Sequence, residues 1–161
     1  MRTILLFAFI LQCTFIAFSQ TPSYSETGLE WNSKDIEILV EHLPDNARSI
    51  GLTADRIQTK CESRLRQAGL NIVDESSHLP IFLYVSVNLF GNSFNIDLHF
   101  NRIVNYLSGG DKMYWKYAAT WHTSMTGTSD NAEYILQSLD GQLDKFLNDY
   151  LKANPSLSGS K

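Results

Sequence analysis

The sequence predicts an α/β (α+β) fold: a two-layer sandwich with a mixed, mostly antiparallel sheet and two helices on one face. Two observations lead there. Apolar residues recur at helical spacing in two stretches and alternate in strand fashion in the segments between, giving the order β-α-β-β-β-β-α. The 161 residues, 43% of them hydrophobic and 19% charged, suit one folded domain rather than a disordered chain.

The chain opens on MRTILLFAFILQCTFIAFSQ. Arg2, the uncharged apolar run Ile4 to Phe18 and the small-x-small triplet Ala17-Phe18-Ser19 predict a signal peptide over 1–19, cut after Ser19. The apolar run is short of the roughly 20 residues a spanning helix needs, so no transmembrane segment is expected after cleavage. Cys13 is a poor lipid acceptor, because Gln12 precedes it and the apolar run continues beyond it. Export places the protein in the periplasm or outside the cell. Cys61 is then the one cysteine left, so stability must rest on packing rather than an internal disulfide.

Residues 20–34 are polar and predict a flexible leader, with Trp31 docking on the body. The domain spans 35–154. Ile36 to Leu43 predicts a strand with Ile36, Ile38 and Val40 on one face, broken by Pro44-Asp45-Asn46. Thr53 to Ala68 predicts a helix with Thr53 as N-cap, Gly69 as stop, and Ala54, Ile57, Cys61, Leu65 and Ala68 as its apolar stripe. Asn71 to Asp74 is a short strand, and the strand–helix–strand order predicts a parallel crossover. Ile81 to Phe90 and Phe94 to Phe100 alternate cleanly about Gly91-Asn92, which predicts a hairpin pairing Leu89 with Phe94, Val87 with Ile96 and Val85 with Leu98. Met113 to Met125 forms the next strand. A tight turn at Gly109-Gly110 sets Trp121 opposite Leu98 and His122 opposite Asp97, with Met113, Trp115, Tyr117, Ala119, Trp121 and Thr123 facing the core. Asp130 to Ala153 predicts a helix, with Asp130 and Glu133 at capping-box spacing and Leu136, Leu139, Leu143, Phe146 and Tyr150 inward. Residues 155–161 read as a disordered tail.

The stretches GLTADRIQTKCESRLRQAG, FLYVSVNLF, AATWHTSMTG and LDKFLNDYLKAN, in this order and spacing, resemble a family of small exported bacterial proteins of unknown function. The resemblance covers Ile36 to Asn154 and implies no activity. At the level of fold alone, the element order is similar to the N-terminal domain of periplasmic TolB and to outer-membrane lipoproteins associated with curli and penicillin-binding proteins, which implies a scaffolding or adaptor role.

The net charge of −4 and the lack of a basic stripe argue against nucleic acid as a partner. The sheet face away from the helices is expected to carry Tyr84, Ser86, Asn88, Asn95, Asp97, His99, Thr120 and His122. Tyr84, Asp97, His99 and His122 are the candidate ligand-binding residues. A carboxylate and two imidazoles, Asp97, His99 and His122, form a candidate set for a transition-metal ion. Ser86, His122 and Asp97 make a hydrolase triad on paper, without a nucleophile elbow or an oxyanion loop. Glu37 and Glu41 stand about 13 Å apart along a strand, beyond the reach of a glycosidase pair. Cys61 lies on an apolar stripe and reads as a small hydrophobe. His42 and His78 read as edge or loop residues. Trp31, Trp115 and Trp121 offer rings to a sugar if exposed, but the shared parity of Trp115 and Trp121 points to packing. No cofactor motif is present.

These observations favour a non-enzymatic binding or adaptor module of the cell envelope, with an envelope protein as partner. A small-ligand or metal-binding protein using the polar sheet face is the alternative, and a hydrolase comes third. A buried Asp97–His122 pair in a concave pocket would favour the ligand reading; a flat, solvated face would favour the adaptor.

Overall fold

The computed structural model describes residues 27–74, 79–109 and 112–157. The expected signal peptide and its cleavage site, Cys13, residues 20–26, His78 and residues 158–161 lie outside these.

Five strands, β1 (Asp35–Val40), β2 (Asn71–Val73), β3 (Ile81–Phe90), β4 (Ser93–Leu107) and β5 (Met113–Thr128), form one mixed sheet in the order β2-β1-β3-β4-β5. The helices α1 (Ala54–Gln67) and α2 (Ala132–Ala153) make the second layer. β1 runs parallel to both of its neighbours, β2 and β3, whereas β3–β4 and β4–β5 are antiparallel. Short β1 and β2 leave most of the ladder to the two antiparallel pairs.

Local chemistry accounts for the elements. The Thr53 side chain accepts from the Arg56 backbone N–H and caps α1. Gly69, at φ +85°, lets the chain turn away after the helix. α2 begins at Ala132, and its cap is Asn131, which accepts from the Glu133 and Tyr134 N–H groups; the capping-box pairing of Asp130 with Glu133 does not form. The β3–β4 hairpin takes the expected register, with Leu89 opposite Phe94, Val87 opposite Ile96 and Val85 opposite Leu98.

The core lies between the layers. Ile57, Cys61 and Leu65 of α1, and Leu136, Leu139, Leu143, Phe146 and Tyr150 of α2, are buried against Ile36, Ile38, Leu83, Val85, Phe94, Ile96, Leu98 and Phe100. Ala54, expected on the α1 stripe, is exposed at the first turn, where the helix has not yet reached the sheet. Arg56–Glu133, Lys60–Asp140 and Arg64–Asp144 ion pairs tie α1 to α2 along their outer flanks. Such partly exposed pairs add up to about 1 kcal/mol each.

The last strand departs from the sequence expectation. From Met113 to Ala119 it pairs with Leu107 to Asn101, and then a bulge leaves Thr120 without a partner. Beyond the bulge Trp121 faces Phe100, His122 faces His99 and Thr123 faces Leu98. One extra residue inverts the faces. Trp121 and Thr123 therefore point to α2, as expected, while Met113, Trp115, Tyr117 and Ala119 point to the opposite side. β4 is also longer than the expected Phe94–Phe100, running on to Leu107 and carrying a two-stranded arm beyond the helices.

The described part of the leader, residues 27–34, is a strap rather than a loose segment. Leu29 is fully buried and Trp31 packs on the core. Asn154, also fully buried, holds it: its Oδ1 accepts from the backbone N–H of Trp31 (2.8 Å) and Asn32 (2.7 Å), and its Nδ2 donates to the Leu29 and Tyr150 carbonyls. The Tyr150 hydroxyl donates to the Ser33 carbonyl at 2.8 Å. Pro155–Leu157, expected as the start of a frayed tail, forms a short 3-10 turn with Leu157 against the core.

Asn154→Leu keeps the volume and removes four hydrogen bonds, stranding buried backbone groups. It is expected to lower stability by about 3 kcal/mol, read by guanidinium denaturation, while Ser156→Ala on the exposed side changes it by less than about 0.5 kcal/mol.

Candidate functional site

The sheet face away from the helices is built by alternate residues of β3, β4 and β5. Phe82, Tyr84, Ser86 and Asn88 of β3 stand opposite Asn101, His99, Asp97 and Asn95 of β4. On the other side of β4, those four residues meet Ala119, His122, Ser124 and Thr126. The four sequence-predicted site residues all lie on this face.

Tyr84, His99 and His122 form one row across three strands. The Tyr84 and His99 rings meet edge to face at 6.0 Å between centroids, and His99 and His122 do the same at 6.0 Å. Direct cross-strand pairing causes this, because opposed residues of an antiparallel ladder project from one spot on the same face. His122 is exposed, and Tyr84 and His99 are half-buried. Partial burial raises the Tyr84 phenol above its ordinary value, and the Glu41 carboxylate beside it raises it further.

Asp97 is one step along the face, opposite Ser86 and Ser124. The expected Asp97–His122 pairing is not made: the β4–β5 arm is one residue out of the expected register, and the bulge adds a second, which sets His122 opposite His99. Among the described residues no three His, Cys, Asp or Glu side chains are grouped to hold a metal ion, so Asp97, His99 and His122 do not come together as a set of three. Ser86 and Asp97 are neighbours, but His122 is on β5, one rung along and separated from Ser86 of β3 by the whole of β4. A Ser–His–Asp relay is not assembled.

Around the row two amides are partnered. Asn95 Nδ2 reaches the Ser124 hydroxyl (3.2 Å) and the Met125 carbonyl (3.3 Å), and Asn101 Nδ2 donates to the His99 carbonyl (3.3 Å). These bonds hold the amides flat along the sheet. Clefts elsewhere lie between α1 and the start of α2, lined by Arg56, Thr59 and Glu133, and beside β1, lined by Glu37, Glu62 and Arg66. Neither is lined by Asp97, His99 or His122.

The other candidates separate cleanly. Cys61 is fully buried, and burial, with Asp140 adding to it, pushes its thiol up to about 12, which removes it as a nucleophile at neutral pH. Glu37 lies on β1 and Glu41 just past its end. Trp121 packs edge-on against Phe146 at 5.4 Å and donates its indole N–H to Asp149 (3.1 Å). Trp115 does not share that environment. The bulge turns it out of the core, and it is exposed at the far end of the open face. There Phe82 meets Tyr117 edge to face at 5.3 Å, and Leu107, Met113 and Trp115 continue an apolar surface onto the arm. Sequence reading missed this end. Its signal was the run Ile103-Val104 and Tyr106-Leu107, where apolar residues stop alternating as they do on a strand exposed on both faces.

Glu41→Gln removes the carboxylate's share of the shift on Tyr84 and leaves that of burial. The phenol is expected to titrate at lower pH than in the parent chain while staying above an ordinary tyrosine, as followed by the Tyr84 ring carbon in an NMR pH titration. An unchanged midpoint would show that Glu41 does not act on it.

No protein-family model matches the chain, and no curated protein is detectably similar to it, so the reading of its function rests on the geometry of this face.

Proposed function

We propose that the chain is an exported, non-enzymatic binding module of the cell envelope that recognises a protein partner through its open sheet face. One observation carries the reading: the Tyr84–His99–His122 row crosses three strands on the sheet face away from both helices, and no described helix covers it. The rings supply contact area at small entropic cost, and the amides and hydroxyls beside them supply fixed hydrogen-bond groups. Asp97, one rung along, and Glu41, beside Tyr84, add negative charge. Export rests on the charged, apolar and small-residue sections of residues 1–19. No described helix is long and apolar enough to cross a membrane.

The test is site-specific photocrosslinking in the native host. A tagged chain carries the photoreactive residue at His122, or at Gln137, which is exposed on α2. One dominant envelope protein captured from His122 and absent from Gln137 is the expected result. Equal capture from both positions, or none from His122, contradicts recognition by this face. Intact mass of the purified chain reads export separately, with Gln20 expected as the first residue.

A further inference from the structure

The arm formed by the ends of β4 and β5 has a different character from the ring row. β5 is an edge strand, and among the described residues none of the backbone hydrogen bonds outside the sheet ladder reaches Met113–Ala119. Edge strands are ordinarily blunted by charge, proline or a covering element. Met113–Ala119 has no proline and one charged residue, Lys116. Its open side carries Met113, Trp115 and Tyr117, with Leu107 of β4, and its helix side carries Tyr114, stacked on Tyr106 of β4 at 5.7 Å, together with Lys116 and Ala118. Leu107 is 70% exposed and Trp115 67%.

We propose that this edge pairs with the same edge of a second copy, joining two sheets into one across a two-fold axis. A partner that lies flat on the arm, such as a lipid surface or a glycan, would meet one face. A strand added at the edge meets both, which is where the apolar side chains are. At about 150–250 Å² for a fully exposed aromatic side chain, Met113, Tyr114, Trp115 and Tyr117 of the edge strand itself leave roughly 400 Å² in water, about half of what a standard interface takes from each partner and in the range of a weak dimer. The segment is also complementary to itself. An antiparallel pairing with the axis at Tyr117 sets Trp115 opposite Ala119 of the second copy and Lys116 opposite Ala118. Trp115 and Lys116 then each meet an alanine on the same face, Tyr117 meets Tyr117 of the second copy as an aromatic cross-strand pair on the axis, and the two lysines do not oppose each other. The bulge at Thr120 ends the regular pairing, which leaves the Tyr84–His99–His122 row free on both copies.

Sedimentation of the purified chain tests the proposal without reference to any envelope partner, so its failure would leave the reading of the ring row standing. The parent chain is expected to sediment with the mass of two chains at concentrations up to about 100 µM. Tyr117→Lys, which sets two charges on the axis at a half-exposed position, is expected to weaken the dimer at least tenfold, that is by about 1.4 kcal/mol, with unchanged circular dichroism. In a Cys13→Ser background, Tyr117→Cys is expected to form a disulfide-linked dimer on oxidation, because residues opposed across the axis come within bonding reach. Ala119→Cys is expected not to, because it faces Trp115; buried Cys61 does not compete. A single-chain mass for the parent overturns the proposal. So does a dimer that survives Tyr117→Lys, or cross-linking as efficient at Ala119→Cys as at Tyr117→Cys.

Discussion

Between Ala119 and Trp121 the last strand carries one residue, Thr120, with no partner on β4, and the character of both sheet faces follows from how that residue is held. Its hydroxyl donates to the Gly28 carbonyl at 2.6 Å. Gly28, at φ +74°, lies so close that a Cβ there would overlap the Thr120 carbonyl oxygen, so the strap must carry glycine at this point. Two residues on, the Glu30 carbonyl accepts from Arg102 of β4, and the buried amide of Asn154 then anchors the strap to the end of α2. The bulge is thus fixed between the first and last parts of the described domain, which are distant in sequence.

Its consequence is energetic as well as geometric. Burying a large apolar side chain is favourable by about 1.5–3 kcal/mol. Past the bulge Trp121 takes that gain against Phe146, whereas before it Trp115, Tyr117 and Met113 forgo much of it. A row of partnered polar groups and rings at one level of the open face gives way to bare apolar surface on the arm. Contiguous exposed apolar surface of this size marks contact sites rather than ordinary protein exterior. The proposed recognition by the ring row and the proposed pairing by the arm therefore draw on separate parts of one sheet.

Much of the fold is legible in the sequence because local and tertiary signals agree. Thr53 and Gly69 bracket α1, the α2 stripe Leu136 to Tyr150 is buried throughout, and the alternation of Ile81–Phe90 and Phe94–Phe100 fixes their register. The bulge is hidden for a physical reason. Met113, Trp115, Tyr117, Trp121 and Met125 alternate without interruption, so hydrophobic periodicity reads one continuous inward face, and the inversion comes from a contact made by Gly28 some ninety residues earlier. Tyr84, Asp97, His99 and His122 were placed on the correct face, but the pairing of His122 with His99 depended on the register that the bulge resets. Where pattern and structure disagree, at Met113 to Ala119, is also where the chain leaves apolar side chains in water, the expected mark of a site selected for something other than stability.

Everything described for the open face depends on Thr120 being unpaired and inverting β5. Cross-strand NOEs between backbone protons of β4 and β5 test it most directly. Contacts linking Asn101 with Ala119 and His99 with His122, with no rung at Thr120, are the predicted result. A ladder that continues unbroken from the arm, linking Phe100 with Thr120 and His99 with Trp121, would contradict it and would return Trp115 and Trp121 to one face.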